Sequence, residues 1–203
     1  TSSVGSFVEI DFADPANPVI EKLDFDFASC GYALCIVDTG GSHSDLTDEY
    51  AAVRKEMESV AEYLGKSVLR EVDEDEFMKN IADIRSSCGD RAVLRAMHFY
   101  GDNARVEKQA AALKAGDFET FKKYIIESGR SSYMYNQNVY SCKKASEQPV
   151  SLALSLSEKL LDGCGAWRVH GGGFAGTIQA FVPLNKLDEY KDLMEKSIRF
   201  GFV

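Results

Sequence analysis

The sequence predicts an α+β domain in which helices pack on one face of an antiparallel sheet. Its hydropathy pattern indicates a hairpin, a strand, several helices, two strands joined by a glycine-rich loop, and a last helix. Strands and helices do not alternate strictly, which favours this class over one built from repeated strand–helix units. The chain has 203 residues, of which 45% are hydrophobic, and shows no internal repeat. That length is sufficient to bury a substantial core.

The first part of the chain predicts a hairpin followed by a buried strand. Residues 7–12 alternate apolar and acidic side chains, and residues 19–27 alternate again. Between them, Asp14-Pro15-Ala16-Asn17-Pro18 has the composition of a turn, because proline lacks a donor and Asp and Asn favour local turn bonds. Residues 31–37 are almost continuously apolar, which predicts a central strand of a sheet.

Five longer helices are expected after this strand, in addition to a helix start at the acidic run 73–76. The first carries apolar residues at helical spacing from Leu46 to Leu64, with Ser44 or Asp45 as its cap and Gly65 as its end. A long helix is expected over 90–115 and ends at Gly116. Its antiparallel partner begins near residue 118, and two further helices begin near residues 149 and 187, the first of these at a proline.

The composition excludes several classes of function. The net charge is −9 and no basic stripe is visible, which argues against nucleic-acid binding. Five cysteines without a Cys-x-x-Cys pair predict reduced thiols, and neither a disulfide scaffold nor a zinc site is expected. The acidic run 73–76 predicts a solvated helix start, so no metal site is assigned. With neither a signal peptide nor an apolar run of spanning length visible, we expect a cytoplasmic protein with no membrane partner.

The segment Gly171-Gly172-Gly173-Phe174-Ala175-Gly176 is the most informative part of the chain. It joins two expected strands, 166–169 and 177–182. A two-residue hairpin needs only one or two residues with positive φ, so four glycines in six positions exceed ordinary turn chemistry. Two interpretations are open: a backbone cradle whose N–H groups bind an anion, or a tight bend against a close packing neighbour.

A second group of polar residues follows the buried strand of residues 31–37. It comprises His43, Asp45, Asp48, Glu49 and Tyr50. The group is typical of a capped, solvated helix start, yet Tyr50 occupies an apolar position of the helix. A buried tyrosine usually has a partner for its hydroxyl group, here either a core carbonyl or a ligand. No Ser-His-Asp or Cys-His arrangement is recognisable, so no catalytic residue is assigned.

These residues together resemble the GHMP kinases, and the galactokinases in particular. The segment 171–176, preceded by Trp167-Arg168-Val169-His170, resembles the third motif of that family. His43-Ser44, then Glu49-Tyr50, then Arg54 resembles a galactokinase stretch in which the tyrosine stands seven residues after the histidine. Residues 94–107, 112–118 and 127–128 also match the galactokinase pattern, so the resemblance covers most of the chain.

The resemblance implies a C-terminal lobe with a ferredoxin-like antiparallel sheet and extra helices. Residues 1–30 would be a hairpin segment that continues from a missing N-terminal lobe, and residues 31–203 the C-terminal domain. Ser2-Ser3-Val4-Gly5 is similar to the residues that follow the catalytic aspartate. The aspartate and the phosphate loop would therefore precede the chain, and the fragment alone is expected to be inactive.

The full-length protein would then be an ATP-dependent kinase that phosphorylates the anomeric hydroxyl of galactose. Tyr50 would hydrogen-bond the sugar. The backbone on the nucleotide-phosphate side would come from Gly171, Gly172, Gly173, Phe174 and Gly176. ATP and Mg would bind the full-length enzyme, and this fragment alone would hold neither. Two alternatives are a GHMP kinase for an N-acetylated or 6-deoxy hexose and a non-enzymatic galactokinase-like sugar sensor.

Two positions depart from the family pattern. His170 replaces the threonine that usually precedes the three glycines, and Ala175 replaces a glycine. A methyl group limits the backbone freedom of residue 175. We therefore do not assign residue 175 a direct phosphate contact.

Overall fold

A computed structural model describes residues 6–41, 46–174 and 176–198. Its elements confirm the expected α+β class. The strands are β1 (Ser6–Asp11), β2 (Val19–Asp24), β3 (Tyr32–Asp38), β4 (Ala166–Val169) and β5 (Thr177–Pro183). The helices are α1 (Thr47–Tyr63), α2 (Glu74–Lys79), α3 (Ile81–Cys88), α4 (Asp90–Lys114), α5 (Phe118–Ser131), α6 (Pro149–Leu161) and α7 (Leu187–Ile198). Ser2 to Gly5, His43, Ser44, Asp45 and Ala175, which the sequence singled out, lie outside the described residues.

Strands β1 and β2 form the expected antiparallel hairpin, with Ser6 opposite Asp24 and Asp11 opposite Val19. The turn is closed by Asp14, whose carboxylate accepts a hydrogen bond from the Ala16 amide at 2.9 Å. This is the local turn bonding that the composition of the segment predicted.

The main sheet has three antiparallel strands in the order β3-β5-β4. The expectation that residues 31–37 form the central strand was wrong, since β5 is central and β3 lies at an edge of the sheet as described. Only alternate residues of β3 are buried: Cys35 and Val37 face the core, whereas Leu34 is 45% exposed. An apolar run does not distinguish an edge strand with an exposed leucine from a strand that is buried on both faces.

Both faces of this sheet are covered. One face packs on α6 and α7, where Val37, Val169 and Ile178 of the sheet meet Val150 and Met194 of the helices. This is the helical layer that the sequence predicted. The opposite face carries an aromatic cluster that α5 and the chain after β2 supply, formed by Phe27, Phe118, Phe121 and Phe181.

Helix α5 also lies against the free edge of β4. A side chain at Gly129 of α5 would come within 3.1 Å of the Trp167 carbonyl oxygen and 2.9 Å of the Arg168 Cβ. Glycine at this position therefore allows the helix backbone to approach the strand closely.

A separate core joins α1, α2, α3 and α4. It is built around Val60, Phe77, Ile84 and Ala96, each of which is fully buried. The long helix α4 ends at Gly116, which adopts a left-handed φ of 69°, as the sequence predicted. This packing fixes the position of α1, the helix that carries Tyr50. None of the described helices is long and apolar enough to cross a membrane.

Candidate functional site

The glycine-rich loop uses left-handed backbone at several positions. The φ angles are 64° at Gly171, 81° at Gly173 and 121° at Gly176, and Phe174 adopts 57°. Three of the four glycines thus occupy conformations that side-chain-bearing residues rarely adopt. The density of glycine follows from this backbone path.

The loop also packs against close neighbours. A Cβ atom at Gly172 would lie 2.7 Å from Cε1 of Tyr50, and one at Gly173 would overlap the Asn138 carbonyl oxygen. The structure therefore shows the close packing neighbour that was one of the two interpretations of this loop. Within the described part of the chain, the amides of Gly171, Gly172 and Gly173 donate to no protein acceptor, so the anion cradle also stays open.

Tyr50 lies against this loop. Its hydroxyl donates a hydrogen bond to the Gly173 carbonyl oxygen at 2.8 Å. Its ring meets the Phe174 ring edge to face, with centroids 5.3 Å apart. Of the two partners that the sequence left open for this hydroxyl, the structure shows a backbone carbonyl. Residues that the sequence marked at two distant places are therefore in direct contact.

Two further residues hold the loop in place. The Asn138 carbonyl oxygen accepts a hydrogen bond from the Phe174 amide, and the Asn138 side-chain amide donates to the Gly172 carbonyl oxygen at 3.2 Å. At the far end of the loop, both the backbone amide and the hydroxyl of Thr39 donate to the Gly176 carbonyl oxygen, at 2.8 and 2.6 Å.

Cavities lie on both sides of the loop. One, of about 630 Å³, is lined by residues that include Tyr50, Asn136, Asn138, Gly171 and Gly172. The other, of about 640 Å³, is lined by residues that include Thr39, Ser141, Lys144 and Phe174. Both volumes suit a small-molecule ligand. Among the described residues, no group of three or more His, Cys, Asp or Glu side chains is placed to hold a metal ion.

Comparison with known proteins identifies the relatives of this chain. No family model matches it. The galactokinase of Homo sapiens is 35% identical over 144 residues, which are 71% of this chain and 34% of that protein. The galactokinase of Thermosipho africanus is 29% identical over 185 residues, and that of Glaesserella parasuis serovar 5 is 26% identical over 167 residues. The chain is homologous to the galactokinases.

The fold agrees with this relationship. The crystal structure of Lactococcus lactis galactokinase complexed with galactose superposes with a TM-score of 0.70 over 98% of this chain, at 20% sequence identity. The GHMP kinase fold that the sequence predicted is therefore confirmed. The chain spans half of that protein's length and 34–48% of the curated galactokinases named above.

The structure brings together five of the expected site residues, and Gly176 lies apart from them at the end of the loop that Thr39 holds. Tyr50, Gly171, Gly172, Gly173 and Phe174 form one continuous surface between α1 and the end of β4. Glu49 is buried, and its carboxylate accepts a 2.6 Å hydrogen bond from the Ser141 hydroxyl.

Sequence reasoning missed several residues that support the site. Asn138 was not singled out, because residues 136–138 carry no apolar periodicity that marks their place. Arg95, which a charged residue of a helix would lead one to expect at the surface, is fully buried. Its Nε donates to the Asn136 carbonyl oxygen at 3.0 Å, and its guanidinium pairs with Glu56 at 2.9 Å. Burial lowers the pKa of Arg95, while the charge of Glu56 opposes this shift. A single arginine in a helix gives no sequence signal of such burial.

Proposed function

We propose that this chain is part of an ATP-dependent kinase that phosphorylates the anomeric hydroxyl of galactose. The observation that carries the proposal is the 2.8 Å hydrogen bond from Tyr50 to Gly173. It places the residue expected at the sugar in contact with the loop expected at the triphosphate. Phosphoryl transfer requires this proximity, because catalysis depends on holding the acceptor hydroxyl and the γ-phosphate together.

Tyr50 would orient the sugar through its phenol oxygen. The hydroxyl proton is directed at the Gly173 carbonyl, so the oxygen presents its lone pairs to a sugar hydroxyl and acts as an acceptor. Because this geometry is set by a backbone carbonyl and an edge-to-face ring contact with Phe174, the acceptor is held in place before the sugar binds. Such preorganisation lowers the cost of binding.

The glycine loop would line the triphosphate. The amides of Gly171, Gly172 and Gly173 have no protein acceptor among the described residues, and consecutive backbone N–H groups are suited to phosphate oxygens. ATP supplies the phosphoryl group, and Mg²⁺ neutralises the charge that develops during transfer. We assign no metal ligand in the described residues, and this chain alone is expected to hold neither ATP nor Mg²⁺.

The N-terminal lobe of a galactokinase, which this chain does not span, would supply the other groups of the site. The chain matches 34–48% of the curated relatives compared above, and galactose and ATP would bind only with the N-terminal lobe present. The five cysteines are all free thiols, which supports a cytoplasmic location. The acidic net charge of −9 supports a protein without a nucleic-acid partner.

A coupled ADP-release assay tests the proposal on two polypeptides, the present chain and the full-length protein. We expect galactose-dependent turnover from the full-length protein and a signal at the no-enzyme level from the present chain. The assay also includes an N-acetylated hexose and a 6-deoxy hexose. Preference for either sugar would replace galactose as the substrate, and sugar binding without turnover would identify a sensor. Turnover by the present chain would contradict its expected inactivity.

A further inference from the structure

The segment that follows α5 carries an unusual backbone. Residues 132–136 form a π-helical turn, and Gln137 then adopts a left-handed φ of 54°. Gln137 and Phe174 are the two non-glycine residues with positive φ in the described chain. They are joined through Asn138, whose carbonyl accepts the Phe174 amide. Strained backbone of this kind persists where the surroundings over-determine it, and it clusters at functional sites.

Asn138 holds the glycine loop on both sides of Gly173. Its carbonyl oxygen binds the amide of the residue after Gly173, and its side-chain amide binds the carbonyl of the residue before it. Gly173 supplies the carbonyl that receives the Tyr50 hydroxyl. Asn138 therefore holds the residues on either side of the acceptor that orients Tyr50.

The segment that carries Asn138 is anchored in turn to α1. Arg95 donates to the Asn136 carbonyl oxygen and pairs with Glu56, which belongs to α1. Five residues further on, the Ser141 hydroxyl donates to Glu49, also on α1. Hydrogen bonds thus connect three elements pairwise. The segment 136–141 bonds both helix α1 and the glycine loop, and Tyr50 of α1 bonds the glycine loop directly.

We propose that Asn138 is a positioning residue for Tyr50, acting through the carbonyl of Gly173. In its kinetic consequences this inference rests on the function proposed above. The neighbouring Asn136 provides a matched comparison. Asn136 is 8% exposed and Asn138 is 5% exposed, and both line the same cavity. The Asn136 side chain makes no hydrogen bond among the described residues, whereas that of Asn138 binds the loop.

Hydrogen exchange of the full-length protein tests the contact without reference to activity. We expect Asn138→Ala to increase exchange of the Phe174 amide, which donates to the Asn138 carbonyl oxygen, by about two- to tenfold, the range that one neutral hydrogen bond supports. Asn136→Ala, with equal loss of buried volume, should leave exchange of this amide unchanged. Asn138→Leu keeps about the same volume without an N–H donor or a buried charge, and it replaces the alanine variant if that variant does not fold. Equal exchange in the Asn136 and Asn138 variants would overturn the inference.

A double-mutant cycle tests the route through Tyr50. If Asn138 acts on galactose use through Tyr50, then Asn138→Ala combined with Tyr50→Phe should lower kcat/KM for galactose no more than the stronger single variant does. Multiplication of the two single effects would overturn the route. Absence of galactose turnover in the wild-type protein would instead refute the proposed function, and the exchange experiment would still decide the role of Asn138.

Discussion

Substitution of Gly172 by alanine should displace Tyr50. A methyl group there would lie 2.7 Å from Tyr50 Cε1 and 3.1 Å from Cδ1, whereas carbon atoms normally approach to about 3.5–4.0 Å. The ring must therefore move by about 1 Å. Gly172 is not among the residues with positive φ, so the backbone itself tolerates alanine and the clash is the perturbation.

The expected magnitude follows from overpacking. Forcing an extra carbon into a packed contact costs about 1–3 kcal/mol. If the displaced ring carries that cost into the sugar complex, kcat/KM for galactose falls about 5- to 150-fold, since 1.4 kcal/mol corresponds to a factor of ten. The constants for galactose and for ATP should be measured separately on the full-length protein, with the thermal midpoint recorded for each variant.

Gly171→Ala is the matched control. Gly171 has a φ of 64°, and a Cβ atom there would meet nothing within 4 Å. This variant introduces backbone strain at the same loop without contact with Tyr50, so it should lower the thermal midpoint and leave the KM for galactose unchanged, and any loss of turnover should appear in the ATP constants. The reasoning is refuted if the Gly172 variant keeps wild-type galactose kinetics, or if both variants lose galactose use in proportion to their stability.

The other predictions concern Tyr50, Arg95 and His98. Tyr50→Phe removes the phenol oxygen that would bond the sugar and should cost about 0.5–1.5 kcal/mol, or up to roughly tenfold in galactose kcat/KM, with ATP constants unchanged. A change confined to the ATP constants would contradict the assignment of Tyr50 to the sugar. Arg95→Met leaves Glu56 without its buried partner and should lower the free energy of unfolding by about 2–4 kcal/mol in urea titrations. The cost would be larger if Glu56 were fully buried, but this side chain is part-exposed. A loss below about 1 kcal/mol would argue that Arg95 does not anchor the segment 136–141. Burial lowers the pKa of His98 from its ordinary 6.5, so the unfolded chain binds more protons, and stability present above pH 6.5 is lost as the pH falls below it. The thermal midpoint of His98→Asn should therefore decline less steeply than that of the wild type between pH 6.5 and about pH 5. If the thermal midpoints of the two proteins fall in parallel with pH, the pKa of His98 is not lowered by folding.

The local elements were predictable because each carries its own periodic or stop signal. Helix α4 was expected over 90–115 and spans Asp90–Lys114, with Gly116 at its end. The acidic run was expected to be a helix start, and Asp73 caps α2 by accepting the Glu76 amide. These signals are local in the chain and do not depend on tertiary contacts.

The order of strands and the support of the site were not predictable in the same way. Whether β3 lies at an edge depends on its spatial neighbours, which one apolar run cannot indicate. Tyr50 and the glycine loop were singled out from their own residues, and the resemblance to galactokinases supplied their expected roles. Their direct bond spans 123 positions of sequence and was not predictable. Asn138 and Arg95 act mainly through backbone carbonyls and buried pairs, and single-residue identity does not reveal such contacts.

The close approach at Gly129 has a consequence for how the molecule meets other copies of itself. An edge strand offers unpaired backbone groups on which a foreign strand can grow. At β4 that border is occupied by α5, because the missing side chain at Gly129 allows the helix to lie against the Trp167 carbonyl. One glycine in a helix thus covers the Trp167 carbonyl, a group on which an added strand would pair, and we expect a bulky residue at position 129 to expose it.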